Sequence, residues 1–270
     1  MISTRTHTYT LPTPDADADA EVEVTVTERG EGRPFLLLHG GGGPATVAAF
    51  ADLLATRLGI RVITPVHPGF GGTVRPESLN SVPALAALYV TLLEKMDLND
   101  VTVVGNSLGG WITAEAALLG SPRIAGAILI NGVGIEVPGH PAPDFFSLTP
   151  DQVAKLSWHD PERFRFDPAT LPPAARAAIP GKMASLAAYS GHTMSDPSLP
   201  ARLAGMTVPV LVVWGEADQM FDVDYGRAYA AGIPKSRFQL IREAGHLPQI
   251  EAPEKVLAAV SDFTGSQSGT

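Results

Sequence analysis

Residues 100–111 read Asp-Val-Thr-Val-Val-Gly-Asn-Ser-Leu-Gly-Gly-Trp, a β-branched apolar run that breaks into Gly105-Asn106-Ser107-Leu108-Gly109. The run predicts a buried strand, and Ala114–Leu119 just beyond it predicts a helix. A serine at a glycine-flanked corner between strand and helix is held in a strained turn with its Oγ exposed. The backbone N–H groups that open the helix then point at whatever that oxygen attacks. Small flanking residues are needed because a Cβ would crowd so tight a turn.

Working outward, the chain alternates. Pro34–Leu38 reads as a short buried strand running into His39-Gly40-Gly41-Gly42-Gly43. A helix over Thr46–Leu58 and a strand over Arg61–Pro65 follow, and Ser81 is placed to N-cap a helix reaching about Met96. Downstream, the strands Ile124–Ile130, Val208–Trp214 and Arg237–Ile241 alternate with helices over Asp224–Ala231 and Pro253–Phe263. Thr264–Thr270 reads as a frayed polar tail. Upstream, Tyr9–Leu11 and Glu21–Thr27 read as an antiparallel hairpin, the second with period-two patterning. Strands alternating with helices predict an α/β fold with a mostly parallel sheet covered on both faces. From about Val133 to Pro200 the sequence turns rich in Pro, Ala and aromatics, with short helical pieces. Residues 133–200 are therefore expected to form a cap inserted into a core of residues 1–132 and 201–270, over the carboxyl ends of the strands where open α/β sheets bind ligands.

Bulk properties narrow the function classes. With 270 residues, 45% of them hydrophobic, the chain can bury one substantial core. A net charge of −9 without a basic cluster argues against nucleic acid and anionic membrane as partners. The absence of cysteine excludes disulfides, thiolate metal sites and a cysteine nucleophile. Residues 1–20 are polar, with Asp15, Asp17 and Asp19 alternating with alanine, unlike a signal peptide, and no apolar run reaches membrane-span length. The expectation is a cytoplasmic protein with a small-molecule substrate and no cofactor or metal, a homodimer being the oligomer left open.

A serine hydroxyl becomes a nucleophile only when a base takes its proton and a third group orients that base. In this architecture both partners follow the serine in the chain. Of the downstream histidines, His140, His159 and His192 fall in the insertion, whereas His246 sits between a strand and a helix of the main fold and is the expected base. The acid should follow the strand ending at Trp214. Asp218 is the first choice there, with Glu216, Asp222 and Asp224 as alternatives, the last two also suited to the N-terminus of the next helix. The oxyanion formed on attack needs prepared donors, and the N–H of Leu108 and of Gly41 (or Gly42) are the expected ones. The glycine run could instead cradle phosphate, yet it lacks the Lys-Ser/Thr ending of a P-loop. His39 is expected to orient this loop by hydrogen bonding, and His67 to be structural.

Taken together, Leu-Leu-His-Gly-Gly-Gly-Gly at 37–43, Pro65-Val66-His67-Pro68-Gly69-Phe70-Gly71, Gly-Asn-Ser-Leu-Gly-Gly at 105–110, Gly-Glu-Ala-Asp at 215–218 and Ala-Gly-His at 244–246 resemble the α/β-hydrolase superfamily over about residues 20–263. The resemblance implies an eight-stranded sheet with a helical cap, Ser107 as nucleophile, His246 as base, Asp218 as acid, and Gly41 with Leu108 as oxyanion hole. The serine sets the chain apart from the similar epoxide hydrolases and haloalkane dehalogenases, which carry aspartate at this corner. The glycine run and the serine turn resemble the meta-cleavage-product hydrolases, which cut carbon–carbon bonds. That group usually has a tryptophan directly after its histidine, where this chain has Leu247. The same core serves small carboxylesterases. The expected activity is hydrolysis of a small hydrophobic ester or related acyl compound, with carbon–carbon hydrolysis of a diketone acid as the alternative and a non-hydrolytic binding module on the same fold as the rival from another class.

Pocket candidates are Gly42, Phe145, Phe146, Trp158, Met194, Phe221 and Leu247, joined by Met183 and Tyr189 of the insertion. Each has a plainer reading as packing between insertion and core. Trp111 and Trp214, beside elements of the main sheet, are expected in the core.

Overall fold

The computed structural model describes residues 3–14, 20–164 and 168–267, so Asp15, Asp17 and Asp19 lie outside the described residues. Eight strands form one sheet: β1 (Thr4–Pro12), β2 (Glu21–Arg29), β3 (Pro34–Leu38), β4 (Arg61–Pro65), β5 (Val101–Asn106), β6 (Ile124–Ile130), β7 (Val210–Gly215) and β8 (Ser236–Ile241). Their spatial order is β1-β2-β4-β3-β5-β6-β7-β8. Only the pairings of β1 with β2 and of β2 with β4 are antiparallel; the remaining six strands run parallel. From β3 the chain moves to β4 on one side and then returns to place β5 on the other. Strand order reverses there, which opens a crevice at the carboxyl ends of β3 and β5.

Six helices connect or follow the parallel strands: α1 (Ala45–Leu58), α2 (Val82–Lys95), α3 (Leu108–Leu118), α9 (Val223–Ala231), α10 (Pro248–Glu251) and α11 (Pro253–Gln267). Successive strand residues point to opposite faces, so each strand feeds two cores. Leu36 and Leu38 of β3, with Val210, Val212 and Trp214 of β7, pack beneath α2, α3 and α9. Phe35, Leu37, Leu211 and Val213 face the other way, under α1 and α11. Burial on both faces explains why these strands are nearly unbroken apolar runs.

Local chemistry sets several boundaries. The Ser81 side chain accepts the Ala84 N–H with Pro83 in the first turn, starting α2 where the sequence places it. β7 begins at Val210 rather than Val208, because Pro209 has no N–H to give a sheet ladder. The tail expected over Thr264–Thr270 is corrected in its described part, where α11 continues to Gln267, and residues 268–270 lie outside the described residues. Phe263 is buried at that end, and the Thr264 and Ser266 hydroxyls bond back to Val260 O and Phe263 O.

Between β6 and β7 the described residues form no strand. The helices there are α4 (Pro150–Ser157), α5 (Pro161–Phe164), α6 (Pro173–Ala177), α7 (Ile179–Ser190) and α8 (Leu199–Arg202). A reciprocal box between Thr149 and Gln152 starts α4. The far end of the segment is tied to the core by Arg202, whose guanidinium grips the buried Glu115 of α3 at 2.6 and 2.7 Å and Asp196 at 2.7 Å. Glu115 also accepts the Trp111 indole N–H. No helix among the described residues is long and apolar enough to cross a membrane.

Candidate active site

Ser107 follows β5 and occupies the N-cap position of α3 with φ +56° and ψ −119°, a conformation that costs a non-glycine residue about 1–3 kcal/mol. Its backbone is pinned on several sides. The N–H donates to Ile130 O at 3.0 Å, and the carbonyl accepts from Trp111 N–H at 3.2 Å and Val133 N–H at 3.3 Å. The turn is too tight for larger neighbours: a Cβ on Gly105 would collide with the carbonyl of Gly109, and one on Gly109 with that of Leu38. As the first residue of α3, Leu108 has no carbonyl one turn back within the helix, so its N–H belongs to the unsatisfied set at a helix start.

Asp218 follows β7 and is buried. Its Oδ2 lies 2.8 Å from His246 Nδ1 and 2.7 Å from the Asn131 amide nitrogen, and its Oδ1 accepts the N–H groups of Met220 at 2.9 Å and Phe221 at 3.1 Å. Every partner is a donor, so the carboxylate acts purely as an acceptor. A carboxylate at Nδ1 selects the tautomer that donates from Nδ1 and turns the Nε2 lone pair outward when the ring is neutral. Glu216 is exposed, Asp222 caps α9 by accepting Tyr225 N–H at 2.9 Å, and Asp224 is exposed in the first turn of that helix. Only Asp218 of the four acids meets the histidine.

The glycine loop after β3 reaches the serine. A Cβ on Gly40 would stand 3.0 Å from Ser107 Cβ, and one on Gly41 3.0 Å from Leu186 of α7. Two buried histidines hold the root of this loop. His39 Nδ1 donates to Gly40 O at 2.8 Å while its Nε2 accepts the His67 backbone N–H at 3.2 Å. His67 Nε2 donates to His39 O at 2.8 Å, and the hydroxyl of Tyr89 bonds its Nδ1. Both rings titrate below the usual imidazole range. Burial is the main cause for each: it brings His67 to about 4, and for His39 the neighbouring His67 adds to it. Neutral rings are what this network needs, because each must accept one hydrogen bond as well as donate one.

Other sequence candidates are spread around this centre. Phe221 stacks on the His246 ring, centroids 5.7 Å apart. Phe145 and Phe146 pack edge to face, and Phe146 meets His192 in the same way. Both phenylalanines and Met183 pack against the core, and Met194 is buried. Trp158 stacks on Phe164, whose ring lines an outer cavity of about 370 Å³ together with His159, Glu243 and Glu251. Leu247 is half-buried and leads into α10, Gly42 lies against Thr46, and Tyr189 donates to Pro68 O at 2.9 Å. Trp111 and Trp214 are buried.

Three side chains that the sequence reading passed over also hold the centre. Asn131 fixes Asp218. Asn106 donates to Ile130 O at 3.2 Å and to His246 O at 3.0 Å, tying the residue before the serine to the histidine loop. Glu251 accepts Gly245 N–H at 2.6 Å on one oxygen, and His159 N–H at 2.9 Å and Asp160 N–H at 3.2 Å on the other. The signal for the two asparagines was their position at the ends of apolar strands, where a buried polar side chain must find partners.

A family model described as the alpha/beta hydrolase family matches residues 35–260. A 2-hydroxy-6-oxononadienedioate/2-hydroxy-6-oxononatrienedioate hydrolase of Cupriavidus pinatubonensis is 26% identical over 86% of each chain. A second hydrolase of that description, from Pseudomonas putida, is 28% identical over 87% of this chain and 88% of its own. Among solved structures, a thermophilic esterase from Thermogutta terrifontis, 25% identical, matches 96% of this chain and 98% of its own with a TM-score of 0.75.

Proposed function

Because this chain belongs to the alpha/beta hydrolase family, we propose that it is a serine hydrolase that cleaves a small hydrophobic carboxylic ester or related acyl compound through an acyl-enzyme. The observation that supports the reading is the 2.8 Å bond from His246 Nδ1 to a buried Asp218, together with the 3.0 Å bond to His246 O from Asn106, the residue before the strained Ser107 turn. In the proposed reaction His246 Nε2 takes the Ser107 proton as Oγ attacks the carbonyl carbon. Charge developing on the carbonyl oxygen is received by the N–H groups of Leu108 and Gly41. His246 then protonates the leaving alcohol, and later activates water to hydrolyse the acyl-serine. Asp218 keeps the imidazole in the productive tautomer and stabilises its charged form. These side chains and amides complete the chemistry without a cofactor. The segment 133–200 serves as the cap over the site, with Leu186 touching the oxyanion loop.

A second reading is hydrolysis of a carbon–carbon bond in a meta-cleavage-type diketone acid, favoured by the dienedioate hydrolases at 26% and 28% identity. The test is turnover of a p-nitrophenyl ester series by the wild type and by Ser107→Ala. Turnover that vanishes in the variant supports serine acyl transfer. Turnover that survives removes Ser107 from the reaction. A folded wild type inert on every ester shifts the reading to diketone acids.

A further inference from the structure

Phe221 and His246 are both buried, and their rings stack with centroids 5.7 Å apart and planes inclined by 30°. One carboxylate fixes the pair. Asp218 Oδ2 holds His246 Nδ1 at 2.8 Å, while its Oδ1 accepts the Phe221 N–H at 3.1 Å. The Phe221 carbonyl accepts the Trp214 indole N–H at 3.0 Å, and its ring meets Tyr225 edge to face at 5.0 Å. Tyr225 is anchored in turn: its hydroxyl donates to Ile135 O at 2.8 Å and accepts Ile135 N–H at 3.0 Å. The phenyl ring therefore has little freedom to leave the imidazole. Around the histidine, Asp218 is the charged partner of the ring, Asn106 and Ser157 meet its backbone, and Glu251 holds the neighbouring Gly245 N–H.

An imidazole that gains a proton in a buried place draws little help from water, so the groups already around it decide how stable the cation is. Asp218 serves one edge of the ring, at Nδ1. Phe221 serves a face. An aromatic ring carries negative charge on its own face, and a cation within about 6 Å of its centroid is attracted, more strongly where water is excluded. We propose that Phe221 is a positioning residue for His246 whose π face stabilises the imidazolium formed when the Ser107 proton is taken. The proposal rests on the serine-hydrolase reading for the moment at which that charge forms. Asp218 thus acts on the base twice, once through Oδ2 and once by holding Phe221 in place through Oδ1.

The test replaces Phe221 by phenylalanine carrying one, two or three ring fluorines, which drain charge from the face at nearly constant shape. With p-nitrophenyl butyrate as substrate, kcat and kcat/KM should fall together and stepwise with each fluorine, by about threefold to tenfold for the trifluorinated ring. KM and Tm should change little, since packing is retained. Phe221→Leu, which keeps apolar bulk without a π face, should lose at least as much. In protein carrying labelled histidine, the titration of the His246 ring, assigned by its loss in His246→Gln, should move to lower pH along the same series. A weaker site for the cation needs more acid to fill it. A flat series, or one that rises with fluorine, overturns the proposal. Failure of the serine reading is separate: it appears as turnover insensitive to Ser107→Ala, or as no ester turnover at all, and the ring titration still decides the role of Phe221.

Discussion

The amide nitrogen of Asn131 lies 2.7 Å from Oδ2 of Asp218, the same oxygen that holds His246 Nδ1 at 2.8 Å. Asn131 cannot turn its amide over, because its own Oδ1 accepts Gly215 N–H at 3.1 Å. The end of β6 thus aims the acid that follows β7. Asn131→Ala removes a buried hydrogen bond to a charged group, worth about 1.5–3 kcal/mol. We expect kcat for ester hydrolysis to fall about tenfold or more with KM little changed, alongside a lower Tm. Steady-state kinetics and a thermal melt check this, and an unaltered kcat would remove Asn131 from the positioning of Asp218.

The paired histidines under the glycine loop give the fold an acid limit. His67 titrates near 4 when folded and at its ordinary value, about 6.5, when unfolded. Lowering the pH through that interval protonates the unfolded chain first, so stability is full above about pH 6.5 and declines toward pH 4. The loss from this ring alone amounts to about 3 kcal/mol. His67→Gln keeps a donor and an acceptor but does not titrate. Urea unfolding at pH 7, 5.5 and 4.5 should show a shallower decline for the variant than for the wild type. Equal slopes would mean that His67 takes up no proton on unfolding.

Arg202 binds a glutamate side chain that is only 5% exposed. Arg202→Met leaves Glu115 buried without its partner, which costs 3–5 kcal/mol in fully enclosed pairs. The Arg202 side chain is 37% exposed, so solvent screening reduces the expectation to about 2 kcal/mol. The double variant Arg202→Met/Glu115→Gln should recover part of that loss. Chemical denaturation of both proteins measures it, and a double variant less stable than the single one contradicts a stranded charge.

The alternation of strands and helices was legible because burial on both faces writes an apolar run for the inner parallel strands, β5 and β7 included. Ser107, Asp218 and His246 were readable as candidates for a related reason. Each sits where such a run meets a short loop, and glycine marks the tight turns. Asn131, Asn106 and Glu251 were not legible, since their partners lie 87, 140 and 92 residues away in the chain. The α11 extension was missed because polar residues that return their hydroxyls to the helix look, in sequence, like a tail.

The hydrogen bonds of Glu251 make the histidine loop and the segment after α4 one mechanical piece. Gly245 hangs from one carboxylate oxygen and the backbone at 159–160 from the other, while His246 N–H reaches Ser157 O at 2.6 Å. A stretch 157–160 exchanged between relatives without residues 245–251 would therefore lose these backbone bonds. Designers who graft new substrate preferences onto this scaffold should transplant the two stretches together. Selection on either stretch acts on both.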